Sequence, residues 1–204
     1  MAGRFLSFEG IDGSGKSTQA RLLADGLRGL GLTVTLTREP GGSPGAEDIR
    51  RLVLQGDPDR WSPQTEALLF TAARRDHLEK TIQPALARGD TVITDRFADS
   101  TRMYQGLRGN LDTVNRLHDL MIGVDPDLTF LIDLDPALGL SRAVARCGPE
   151  QRFEEMGLAL QTALRAGFLT LAARHPRFAL IDGAQAPQAV AQAVLARARA
   201  HLGV

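Results

Sequence analysis

The sequence predicts an α/β fold in which a five-stranded parallel sheet is covered by helices on both faces. Three observations lead there. Short apolar runs alternate along the chain with longer stretches of helical periodicity, the order expected of βαβ units. The apolar runs are almost unbroken rather than alternating with polar residues, as strands buried on both faces require. A glycine-rich loop joins the first run to the first helical stretch, at the carboxyl end of a strand, where open parallel sheets gather their ligands. The 204 residues suit one α/β domain, 1–204, with a sizeable core, and the ordinary share of apolar and charged residues excludes disordered and collagen-like classes.

Taken in order, Arg4–Glu9 (RFLSFE) reads as the first strand. Residues 17–30 read as a helix, with Ala20, Leu23, Leu27 and Leu30 on one face at steps of three and four. Gly29 and Gly31 weaken its end and lead into a second strand, 33–37. Residues 44–56 and 64–88 carry helical patterns, and Thr91–Asp95 (TVITD) is the third strand. A further helical stretch covers 111–123, the fourth strand 127–134 (DLTFLIDL) and the fifth Phe178–Asp182 (FALID). The closing helix, Pro187–Leu202, places Val190, Val194, Ala198 and Leu202 on one stripe. Two stretches break the alternation: a Gly/Pro loop at 38–45 (REPGGSPG) and a polar interruption at 146–152 (RCGPEQR) between helical stretches.

The formal net charge is zero, without the basic excess of a protein that coats nucleic acid. Only Lys16 and Lys80 among the 24 basic residues are lysines, so a lysine placed directly after Gly15 stands out. Cys147 is the single cysteine, which rules out an internal disulfide and fits a reducing compartment. The amino-terminal residues are too polar for a signal peptide, and no apolar run approaches the ~20 residues of a membrane span. A cytoplasmic protein without membrane or nucleic-acid partners is the expectation.

Gly10, Ile11, Asp12, Gly13, Ser14, Gly15, Lys16 and Ser17, followed by Thr18, fit the phosphate-binding pattern G-x-x-x-x-G-K-[ST]. The glycines let backbone N–H groups turn inward around anionic oxygens, and the following helix adds its positive end. In such a loop the lysine reaches the outer phosphates and the Ser17 hydroxyl ligates Mg²⁺. The loop follows a strand and opens a helix, the context that gives the pattern meaning. The Asn-Lys-x-Asp element that reads guanine in signalling GTPases is absent, and so is the Leu-Ser-Gly-Gly-Gln signature of transporter ATPases. The arginines scattered over the loops favour transfer of a γ-phosphoryl group to a small acceptor. Two anions must meet in such a site, and guanidinium groups offset their repulsion with bidentate contacts.

Three more stretches, 37–42 (TREPGG), 69–74 (LFTAAR) and 95–106 (DRFADSTRMYQG), complete a set with the loop FEGIDGSGKSTQ. Together, in this order and over nearly the whole chain, they resemble the thymidylate kinases, P-loop nucleoside monophosphate kinases that convert dTMP to dTDP with ATP and Mg²⁺. The resemblance implies a P-loop kinase fold with a small helical lid, about 142–155, and a homodimer. On their own residues several assignments stay open. Phe70, beside Leu68 and Leu69, reads as a core phenylalanine; the resemblance makes it the aromatic that stacks on thymine. Arg74 lies one helical turn further on the same face, and matches a residue that bonds both base and phosphate of dTMP. Arg75 points elsewhere, as a surface charge.

Arg38 matches the arginine at the acceptor phosphate, and Glu39 with Pro40 the turn that follows it. Asp95 and Arg96 could form a plain strand-end ion pair; by resemblance Asp95 orients Mg²⁺ through water and Arg96 contacts the dTMP phosphate. Ser100 and Thr101 match hydroxyl positions near base and sugar, Tyr104 the residue against the sugar's 2′ carbon, and Gln105 an amide suited to base hydrogen bonds. Asp12 matches an acidic residue that holds an arginine or the acceptor's 3′-hydroxyl. Gly13 stands where some members carry an arginine, so the charge is expected from a lid arginine. Arg142, Arg146 and Arg152 are available there; Arg152, before Phe153 and Glu154, matches the lid element best, and Arg146 is assigned to ATP. Residues 181–185 (IDGAQ) resemble the segment that lies along adenine, while Arg102 and Met103 depart from residues common in the family. Two rivals remain. A deoxynucleoside kinase would want a carboxylate base and fewer acceptor-side arginines; a nucleotide switch would hydrolyse ATP slowly without making dTDP.

Overall fold

The computed structural model describes residues 3–145, 153 and 156–204. Five strands, β1 (Arg4–Glu9), β2 (Val34–Arg38), β3 (Thr91–Asp95), β4 (Leu128–Asp133) and β5 (Phe178–Asp182), form one parallel sheet in the order β2-β3-β1-β4-β5. Helices α1 (Lys16–Gly29) and α9 (Pro187–Leu202) cover one face. Helices α4 (Gln83–Ala87), α5 (Ala98–Arg108) and α8 (Gly157–Arg174) pack on the other, with α2 (Pro44–Leu54), α3 (Pro63–His77), α6 (Leu111–Met121) and α7 (Pro136–Val144) around the carboxyl ends of the strands and beside α5. The predicted five-stranded, two-sided α/β arrangement is the one observed.

Strand periodicity decides which side chain goes where. In β1, Leu6 and Phe8 point to the face where Leu23, Leu27 and Val194 pack, and Phe8 stacks on Phe130 with ring centroids 5.0 Å apart. Phe5, Ser7 and Glu9 point to the other face. There Phe5 meets Phe97 edge-on, Ser7 shares a 2.9 Å hydrogen bond with Thr129, and Glu9 meets the start of α5.

Three elements differ from the sequence expectation. The helical pattern at 64–88 is not one uniform helix: α3 runs into a π-helical turn, Leu78–Ile82, before α4. Pro84 offers no N–H and crowds the carbonyl four residues earlier, and the ladder widens ahead of it, with the Gln83 N–H donating to the Leu78 carbonyl. The helix expected over 44–56 stops at Leu54. Helix α5 carries no readable apolar stripe, because it buries Asp99, Thr101 and Gln105 along with Met103 and Tyr104. Residues 146–152, 154 and 155 fall outside the described residues, so most of the proposed lid, with Arg146 and Arg152, does too.

Candidate active site

The loops leaving β1, β2 and β3 and the inner faces of α3 and α5 enclose a cleft of about 1030 Å³. Of the residues singled out in the sequence, Asp12, Gly13, Gly15, Lys16, Ser17, Arg38, Glu39, Pro40, Phe70, Arg74, Asp95, Arg96, Ser100, Thr101, Tyr104 and Gln105 all line it. Gly10, Ile11 and Ser14 shape the loop from behind, and Thr18 lies exposed on the first turn of α1.

The glycine loop turns through three glycines at positive φ, Gly10, Gly13 and Gly15. Gly13 has φ 73°, and a Cβ there would sit 1.9 Å from the Gly139 carbonyl oxygen. Gly15, at the N-cap of α1, has φ 97° in open space, so conformation alone selects glycine. The first turn of α1 carries no acidic residue to compete with an anion. Lys16 folds back over the loop, its Nζ donating to the Ile11 carbonyl at 2.6 Å and reaching Ser14 Oγ at 3.4 Å. Burial, and then the nearby Arg96 guanidinium, bring its pKa down to about 7. A bound phosphate would add to the negative charge that Asp12 and Asp95 already place around this group.

Arg96 is the hinge between the loop and the acceptor side. It is the one described non-glycine residue at positive φ, 69°, a conformation that L side chains enter at a cost. Its N–H donates to the Phe8 carbonyl, its own carbonyl accepts from Thr94 Oγ1, and the next N–H, of Phe97, donates to Glu9 Oε1 at 2.8 Å. Held so, the guanidinium donates to Asp12 Oδ1 at 2.5 Å, Ser100 Oγ at 2.9 Å and the Gly10 carbonyl at 3.2 Å. Its ion-pair partner is therefore Asp12 and not the adjacent Asp95. Asp12 also accepts from Tyr104 Oη at 2.8 Å and Gln161 Nε2 at 2.9 Å, while its N–H donates to Gln161 Oε1. Burial would raise the Asp12 pKa; Arg96, Lys16 and these hydrogen bonds outweigh it and hold the carboxylate below its ordinary range.

On the acceptor side, Phe70 is half-buried and faces the cleft, its ring centroid 6.2 Å from that of Phe153. Arg74 is 4% exposed; its Nε donates to Glu39 Oε2 at 2.7 Å and its Nη2 to Thr101 Oγ1 at 3.0 Å. The second Glu39 oxygen lies 3.0 Å from His77 Nδ1, so the protein itself occupies both oxygens of this carboxylate. Glu39 lines the cleft as the brace of Arg74. Arg38 is more exposed and reaches Glu47 at 3.3 Å. Arg75 forms a surface pair with Glu79, as expected of a surface charge. Arg102 pairs with Asp99 and Asp125, and Met103 packs in the apolar cluster around Ile11 and Phe168; neither lines the cleft. The segment after β5 runs beside the glycine loop, where a Cβ on Gly183 would lie 3.4 Å from the Ser14 carbonyl.

Asp95 supplies a test for a cation. Its Oδ1 is buried without a hydrogen-bond partner among the described residues, at the mouth of the strand and on the cleft that the exposed Ser17 also lines. A carboxylate oxygen and a hydroxyl fit Mg²⁺, which takes one or two protein oxygens and completes its shell with water and phosphate. Among the described residues no cluster of three or more His, Cys, Asp or Glu forms a cage of protein ligands alone.

Several residues of the site went unread in the sequence. Glu9, at the end of an apolar strand, is fully buried under Phe97 and Ser100; burial and then Asp99 push its pKa up to about 7 against hydrogen bonds that lower it. A carboxylate closing such a strand is a readable signal. Gln161, Glu66 and His77 act through partners far away in the sequence and give none. Arg50 lines the cleft and donates to the Pro40 carbonyl at 2.6 Å.

A family model described as thymidylate kinase matches residues 8–194. The chain is 66% identical over 203 residues to a thymidylate kinase of Ruegeria pomeroyi, covering 98% of this chain and 96% of that one. It is 67% identical over 197 residues to one of Dinoroseobacter shibae, covering 95% of each. Among solved structures it is similar to a thymidylate kinase from Ehrlichia chaffeensis, with TM-score 0.77 and 35% identity over 97% of this chain and 99% of that one.

Proposed function

The chain belongs to the thymidylate kinase family, and on that premise we propose that the cleft seats two nucleotides end to end, ATP on the glycine loop and dTMP among the arginines. The reaction is the phosphorylation of dTMP to dTDP, in dTTP biosynthesis. The observation that carries the two-nucleotide reading is the Arg96–Asp12 pair, which ties the acceptor side to the loop within one cleft shared by Lys16, Phe70 and Arg74.

In this reading the N–H groups of residues 10–17 and the start of α1 receive the ATP phosphates, and Lys16 moves from the Ile11 carbonyl to the outer ones. Ser17 and Asp95 would hold Mg²⁺, which when bound would offset negative charge on the ATP phosphates. Arg38, Arg74 and Arg96 hold the acceptor phosphate, and Arg50 adds a fourth guanidinium to the same wall. Phe70 takes the face of thymine, Gln105 its edge, and Ser100, Thr101 and Tyr104 border base and sugar. The acceptor oxygen is already a nucleophile, so no residue need form a covalent intermediate or remove a proton. Asp12 stays ionised and aims Arg96. Catalysis is then positioning and charge compensation. Arg152 and Arg146, from the proposed lid, bring further positive charge to the transferring group.

We further propose that 1–204 act as one catalytic domain, in the cytoplasm, as a homodimer; exposed Leu68, Leu120 and Met121 on α3 and α6 favour a covered surface. No helix among the described residues is long and apolar enough to cross a membrane. The deciding experiment is an ATP-coupled assay over a panel of nucleoside monophosphates, with thymidine included. Formation of dTDP from dTMP and no product from thymidine is the expected result. Phosphorylation of thymidine, or ATP hydrolysis without dTDP, would overturn the seating of dTMP. Sedimentation at micromolar concentration tests the dimer.

A further inference from the structure

Gln105 and Glu66 form a pair that decides how the cleft reads a base. Gln105 lines the cleft that Phe70 also lines, and it is 2% exposed. Its side-chain nitrogen lies 2.9 Å from Glu66 Oε2. The same oxygen lies 2.8 Å from Arg108 Nη1, and Glu66 is fully buried. A guanidinium can only donate, so Glu66 Oε2 is an acceptor, and the atom of Gln105 that faces it must be the amide NH₂. The amide is thereby fixed in one of its two orientations. Its oxygen, an acceptor only, is the end left for a ligand.

That choice carries chemical information. Thymine presents an N3–H donor between two carbonyl acceptors. Cytosine presents an N3 acceptor beside an amino donor. An amide oxygen fixed toward this edge accepts from thymine N3–H and opposes the lone pair of cytosine N3. We infer that Glu66 is a specificity-determining positioning residue: without touching the substrate, it holds Gln105 in the orientation that admits thymine and rejects cytosine. The inference rests on the reading that Gln105 faces the edge of the base.

The substitution Glu66→Met makes the alternative available, because it removes the acceptor that holds the Gln105 NH₂ and frees the amide to invert and turn that NH₂ to the base. Glu66→Gln is the control: a glutamine oxygen in the place of Oε2 accepts from Arg108 and Gln105 together and keeps the amide as it is. The probe is 5-methyl-dCMP, which keeps the methyl group, sugar and phosphate of dTMP and changes only the hydrogen-bonding edge. We measure kcat/KM for both acceptors with the wild type, Glu66→Met, Glu66→Gln and Gln105→Leu, and the melting temperature of each. The expected result for Glu66→Met is a fall with dTMP and a rise with 5-methyl-dCMP, narrowing the preference by roughly tenfold or more, the scale of one buried hydrogen bond that changes sign, while Glu66→Gln keeps the preference. A merely structural role would lower both acceptors by one factor. That outcome, or an unchanged ratio, alongside a ratio that Gln105→Leu does alter, overturns the role of Glu66 alone. A ratio that Gln105→Leu leaves unchanged overturns the placement of Gln105 at the base. Should Glu66→Met not fold, Glu66→Ala makes the same comparison.

Discussion

At the scale of single residues, two buried ionisable groups carry opposite consequences. Lys16 has its pKa lowered by burial and by Arg96, and its Nζ donates to the Ile11 carbonyl and reaches Ser14 Oγ. Lys16→Met removes that charge without adding a polar group to the interior. We predict a loss of turnover of at least roughly 10²-fold, the scale of one lost transition-state donor, with a melting temperature near wild type; turnover within a few-fold of wild type would remove Lys16 from the chemistry. Glu9 sits at about 7 in the fold against 4.5 as a free side chain. The folded state therefore keeps its proton to higher pH than the unfolded chain. Between about 4.5 and 7 the unfolded chain ionises first, so this group's contribution weakens as pH rises through that window and levels off above it. Glu9→Gln cannot ionise. The melting temperature of the wild type minus that of the variant should fall from pH 5 to 7.5, and a flat difference would contradict the assignment. The Glu9 signal was in plain view at the end of an apolar strand. Gln161 was not legible, because it meets Asp12 across 149 positions of sequence, and no local pattern encodes so distant a partner.

At the scale of elements, α3 shows how periodicity reached the site and where it stopped. A spacing of four puts Phe70 and Arg74 on one face, and the structure brings both to the cleft. It could not say whether Phe70 belongs to the core or to a ligand, and the packing gives both answers: half-buried, near Phe153, yet facing open space. Phe70→Ala should raise the KM for dTMP by roughly tenfold, as loss of one base–aromatic stack implies, with the KM for ATP unchanged. An unchanged dTMP KM with a lowered melting temperature would return Phe70 to the core. The strands were legible because each is nearly continuous apolar sequence. Helix α5 was not, since it buries polar side chains where an apolar stripe would run, Thr101 and Gln105 of the cleft and Asp99 paired with Arg102 and Arg177. The π turn at Leu78–Ile82 is likewise invisible to periodicity, although Pro84 marks the place.

At the scale of the whole molecule, the sheet order puts β1 between β3 and β4, so the donor loop emerges beside the strand that delivers Asp95 and Arg96. In the proposed reading the Mg²⁺ belongs to the assembled complex more than to the fold. Chelation by EDTA should abolish dTDP formation, with Mg²⁺ restoring it, while the melting temperature of the ligand-free protein stays the same with and without chelator. A chelator-induced drop in that temperature would mean a resident structural ion. The two-point grip of Gln161 on Asp12, at the N–H and at the carboxylate, joins α8 to this assembly. In the proposed two-nucleotide seating, where Asp12 aims Arg96, a small displacement of that one helix would reach the triphosphate and the monophosphate together. On that reading the donor and the acceptor are geared to a common shaft, and neither would be realigned while the other stands still.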